Sequence, residues 1–164
     1  MKRVFAKKLK ILEDPMKKGL LVFCIGMLVL LFVGCSSKTA LSDEEFRTKL
    51  EDQGFEMYDA TEQFEGEAES VTVAMNSDYQ VEFYVMPSVE GSVYLYNLNK
   101  EKFAEAEGGS SINTSVSVAN YSTYTLSTPE GYVVVSRVDN TFLYCNVDAS
   151  HKADIEQIVK DLGY

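Results

Sequence analysis

The spacing of apolar residues changes period several times along the chain. In LSDEEFRTKLEDQGF, Phe46 and Leu50 lie one helical turn apart in an otherwise charged stretch. Ser42 with Glu45 three places on forms a capping box, Leu41 is placed to staple onto Phe46, and Gly54 suits a left-handed exit. These signals predict a helix from Asp43 to Gln53. The following EMYDATEQFEGEAES is acidic and has no clear period, so it reads as a solvated loop, partly helical. SVTVAM and YQVEFYVM then alternate with period two about Asn76-Ser77-Asp78, a turn composition, and predict a hairpin. Tyr79, Val81, Phe83 and Val85 fall on one face of it, and Gln80, Glu82, Tyr84 and Met86 on the other.

Pro87-Ser88 ends that strand, and Val93, Tyr96 (or Asn97), Lys100, Phe103 and Ala104 recur at helical spacing before Gly108-Gly109; VYLYNL also alternates as a strand would, but the whole segment predicts a helix over 90–107. TSVSVANYSTYTL, YVVVSRV and TFLYCNV read as three strands of a meander, with turns at Thr128–Gly131 and Asp139-Asn140. The closing ASHKADIEQIVKDLGY is the clearest amphipathic helix, with Ile155, Ile158, Val159 and Leu162 on one stripe, aimed at Leu143, Cys145 and Val147. The expected order is α-β-β-α-β-β-β-α. It predicts a single α+β domain over 42–164: two layers, an antiparallel sheet of about five strands with helices packed on one face.

Upstream, Leu20–Val33 is an unbroken apolar run behind Lys17 and Lys18. It is shorter than the roughly 20 residues that span a bilayer and has the make-up of a secretory signal peptide, with the basic side retained in the cytoplasm. Its end, Phe32-Val33-Gly34-Cys35, resembles the lipobox of bacterial lipoproteins, with Phe32 where leucine is usual. The resemblance implies a diacylglyceryl group on the Cys35 sulfur and cleavage between Gly34 and Cys35. Residues 1–34 are then the signal and 35–41 the lipidated cysteine and a short tether. Two acyl chains suffice for stable anchoring. Met16 is the expected start, because MKKGLLVFCIGMLVLLFVGC is a complete signal and the codons of Leu12-Glu13-Asp14 can spell a ribosome-binding sequence; a long basic region beginning at Met1 is the alternative.

Loss of residues 1–34 removes seven of the 15 Lys and Arg and two of the 25 Asp and Glu, which leaves a net charge of −15. Such a surface repels phosphate backbones, so nucleic acid is not an expected partner. It favours solubility beside a negatively charged membrane and, as a sharper reading, cationic ligands. Of the three cysteines only Cys145 lies in the mature domain, so no disulfide framework is available. Taken together, YQVEFYVM, YVVVSRVDNT and the helix ending in DLGY resemble the small lipoproteins of Gram-positive bacteria, a likeness of overall pattern that implies no activity.

Candidate chemistry is sparse. The only histidine, His151, begins the last helix, and Cys145 alternates with Leu143 and Val147 as a core residue would, so no Cys-His pair is expected. No phosphate-binding loop, nucleophile elbow or zinc helix occurs, and the acidic stretch lacks the spacing of a calcium loop. No catalytic residue, metal or cofactor is implied. If helices cover one face of the sheet, the other exposes Tyr84, Phe142 and Tyr144 beside Arg137, a composition typical of contact surfaces. The sequence thus reads as a membrane-anchored, extracytoplasmic, non-catalytic binding or accessory module for an envelope protein or a small ligand. Two alternatives stay open: a signal fragment such as Leu28–Val33 serving as a secreted peptide pheromone, or a cell-envelope enzyme without a recognisable motif.

Overall fold

The computed structural model describes residues 37–105, 108 and 110–164. The expected signal peptide, the cleavage position at Gly34 and the lipidated Cys35 lie outside the described residues.

Helix α1 spans Asp43–Glu51 and opens with the expected capping box, in which Ser42 and Glu45 satisfy each other's backbone N–H. Strand β1 (Glu56–Asp59), a short 3-10 turn (Thr61–Phe64), β2 (Ser70–Met75) and β3 (Gln80–Val85) follow. Helix α2 (Val89–Glu105) then leads to a second run of strands: β4 (Ile112–Val118), β5 (Tyr121–Ser127), β6 (Gly131–Val138) and β7 (Thr141–Asp148). Helix α3 (Lys152–Leu162) closes the chain, and its C-cap Gly163 takes a left-handed φ of 85°.

All seven strands belong to one antiparallel sheet in the order β1-β2-β3-β7-β6-β5-β4. Two meanders meet at its centre, where Glu82–Val85 of β3 pairs with Thr141–Tyr144 of β7. The α+β class and the antiparallel sheet agree with the sequence reading, and three expectations are corrected. The sheet has seven strands, because the acidic loop contains the edge strand β1 and because Ala119-Asn120 folds TSVSVANYSTYTL into two strands. Ala119 is not a turn former, yet it sits at φ 43° with Asn120 hydrogen-bonded on both sides of it, to Lys38 and to Asp139. The element order gains two strands accordingly. Finally, the helices lie on both faces of the sheet.

On the first face, α1 and α3 bury Phe46, Leu50, Ile155, Ile158 and Leu162 against Val81, Phe83, Leu143 and Cys145, as the spacing predicted. Phe46 stacks on Phe83 at 4.6 Å between ring centres. Arg47 donates to Asp43 and to the buried Thr72 of β2, which fixes α1 to the sheet. Tyr164, turned back by Gly163, meets Phe83 edge-on and shares a hydrogen bond with Thr141. On the second face, α2 buries Tyr96 and Phe103 against Val133, Val135, Phe142 and Tyr124. Its start is gripped by the β6–β7 turn: the Ser92 hydroxyl donates to the Asp139 carbonyl, and the Asn140 side chain donates to the Met86 carbonyl.

Candidate functional site

Helix α2 crosses β5, β6 and β7 and leaves a groove between itself and β3 on the second face. The β1–β2 connection closes the groove with Phe64, Glu67 and Ala68, β3 and its exit contribute Glu82, Tyr84 and Met86, α2 contributes Leu95 and Asn99, and β7 contributes Phe142 and Tyr144. It encloses about 290 Å³. Strand alternation sets this lining: Glu82, Tyr84 and Met86 point to one face of β3, and Phe142 and Tyr144 point to the same face of the paired strand.

The rings hold one another in place. Tyr84 stands edge-on to Phe64 at 5.4 Å and to Phe142 at 5.7 Å, while Tyr144 stacks on Phe103 at 6.1 Å. The Tyr84 hydroxyl donates to Glu82 Oε2 at 2.6 Å, and Gln80 Nε2 donates to Glu82 Oε1 at 2.8 Å. Burial pushes the Tyr84 phenol far above its ordinary range, and the bond to the Glu82 carboxylate adds to the shift. Tyr144 shifts upward as well, chiefly through burial. Both phenols are therefore neutral hydrogen-bonding groups at any physiological pH.

Beyond Tyr144 the ladder between β3 and β7 stops, although β7 continues to Asp148 paired with β6. The strands part there and frame an open shelf of about 830 Å³ lined by Asp78, Gln80, Asn146, Glu130 and Asp148. Glu82 and Tyr144 line the shelf as well as the groove, so the two spaces adjoin at this pair.

Tyr84, Phe142 and Tyr144, expected together on an open face, do come together, but as walls of the groove under α2. Phe142 is 1% exposed and Tyr84 9%, so the open aromatic face is corrected to a covered one. Arg137 is not part of it: the side chain is buried and donates to the Asn120 carbonyl at 3.3 Å. No family model, curated protein or solved structure matches the chain. The site is therefore read from its own residues.

Sequence reasoning missed Phe64, Glu67, Leu95 and Asn99. Phe64 had a signal, as a large apolar residue set between Glu62 and Glu65, where it needs a surface to cover it. Leu95 and Asn99 gave none, since helix spacing places Tyr96 and Phe103 inward without saying what flanks them. Elsewhere, Cys145 is fully buried in the first-face core, and burial pushes its thiol well above the ordinary range, which makes it a packing residue. His151 packs its ring against Tyr79 at 5.0 Å and faces Asp154 at 3.7 Å. Among the described residues, no three His, Cys, Asp or Glu side chains converge as a metal site requires.

Proposed function

We propose that this chain is a lipid-anchored, extracytoplasmic binding module that holds a small ligand in the groove beneath α2 and performs no covalent chemistry. The groove carries the reading. It is concave, walled mostly by apolar side chains, and supplied with a few polar groups, which is the general make-up of small-ligand sites. Its phenols are held neutral, which suits hydrogen bonding better than nucleophilic attack. The anchor rests on the basic flank, the apolar run and the Phe32–Cys35 lipobox pattern. Among the described residues Lys38 is already tied to the sheet, its backbone held by Asn120 at 3.1 and 2.7 Å, so a lipid on Cys35 would keep the domain beside the bilayer.

Two measurements test the two halves of this reading. Cys35→Ala should abolish incorporation of labelled palmitate and leave an uncut precursor in the membrane fraction; processing of that variant to the same size would refute the anchor. Protein purified from its own membranes should release, on denaturation, a small molecule that mass spectrometry detects and that an Ala68→Phe variant, with its groove filled, lacks. Identical profiles from the two proteins would refute the ligand site.

A further inference from the structure

We infer that the groove takes a small organic ammonium ion, with its apolar body among Phe64, Tyr84 and Phe142 and its charged head at Glu82, the carboxylate that the groove shares with the shelf. The inference rests on the groove being the binding site and adds the class of ligand.

Charge decides the class. Neither the groove nor the shelf is lined by a lysine, arginine or histidine, whereas both are lined by carboxylates. An anion would meet no opposite charge there and would be repelled. Glu82 is half-buried, and its recorded donors, Tyr84 and Gln80, are neutral, so hydrogen bonds steady it without cancelling its charge. A neutral ligand seated over Glu82 would strip water from that charge and return at most a hydrogen bond, whereas a cation returns a hydrogen bond and an opposite charge.

The walls narrow the class to organic cations. A bare metal ion wants several oxygen ligands, and no such cluster exists among the described residues. Aromatic faces, in contrast, attract an alkylammonium and bury its carbon skeleton. The enclosed space lies at the small end of ligand pockets, which begin at about 300 Å³, and so admits a compact molecule. Asp78, Glu130 and Asp148 surround the shelf that adjoins the groove at Glu82, and their field concentrates cations at its mouth.

The test uses the full chain in a nonionic detergent and three probes of one shape: phenethylammonium, phenethyl alcohol and hydrocinnamate, with affinities from calorimetry. Phenethylammonium should bind about tenfold or more tightly than the alcohol, with the preference shrinking as salt is added, and hydrocinnamate should not bind. Glu82→Gln retains an acceptor for Tyr84 and should abolish the preference; Glu67→Gln, at an exposed position, should reduce it with no effect on folding. Ala68→Phe should remove binding of the ammonium and the alcohol alike. The alcohol binding as tightly as the ammonium, or the ammonium binding Glu82→Gln undiminished, overturns the ligand class while the release experiment above still stands on its own. Absence of binding by all three probes, or ammonium binding unaffected by Ala68→Phe, also overturns it.

Discussion

Ile158 and Tyr144 lie over opposite faces of the sheet, and their surroundings assign them different work. Ile158 is 4% exposed and belongs to the core that α3 packs onto the first face. Ile158→Ala should cost about 2–5 kcal/mol through the cavity it leaves. Tyr144 keeps part of its ring at the groove and shelf, so Tyr144→Ala should cost less stability and weaken ligand retention instead. Urea melts of the two full-length variants check the order, and a Tyr144 variant that unfolds as readily as the Ile158 variant would make Tyr144 a core residue. At this scale the first-face core was legible: Phe46, Leu50, Val81, Phe83, Leu143, Cys145 and the α3 stripe all follow simple periods. Arg137 was misread, because a charged residue alternating with apolar ones signals a face and not what covers that face.

Among the elements, α1 and α3 were readable because their caps and stripes are local features. Gly163 illustrates this: its left-handed φ ends α3, and the space where a Cβ would go is empty, so only backbone conformation resists a change there. Gly163→Ala should therefore destabilise the fold by about 1 kcal/mol, measured as a shift of the urea midpoint at unchanged slope. The placement of α2 was not read, although a sign of it was present. YVVVSRV is apolar almost without alternation, and a strand of that kind is buried on both sides. With α1 and α3 on one face, some other element had to cover the second. Strand β1 escaped notice for the opposite reason. It is an edge strand with mostly exposed side chains, held by its backbone ladder to β2, and a ladder leaves little trace in composition.

For the whole molecule, the buried phenols set a limit on the alkaline side. Burial raises Tyr164 and Tyr132 to about 12 each, whereas both return to an ordinary value near 10 when the chain unfolds. The unfolded chain thus releases these protons first. Their contribution is complete below about pH 10 and is lost as the pH rises from about 10 to 12. Unfolding midpoints should fall across that window, and Tyr164→Phe should flatten the decline; a midpoint constant up to pH 12 would contradict the burial of these groups.

The β3–β7 pairing also has a consequence in time. About 55 residues separate Val85 from Thr141, and closing a loop of that length costs roughly 3.5 kcal/mol of chain entropy beyond a constant, before the junction returns anything. Each meander forms from near neighbours, so joining them is the expected slow step. Leu143→Ala at the join should then slow refolding, while Leu162→Ala in the last helix should chiefly hasten unfolding, and stopped-flow traces showing the reverse would move the barrier elsewhere. During synthesis at roughly 5–20 residues per second, β3 is complete several seconds before β7 exists. Through that interval its inner edge and the rings of Phe83 and Tyr84 await the partner strand, and the nascent chain is then most exposed to mispairing with a neighbour.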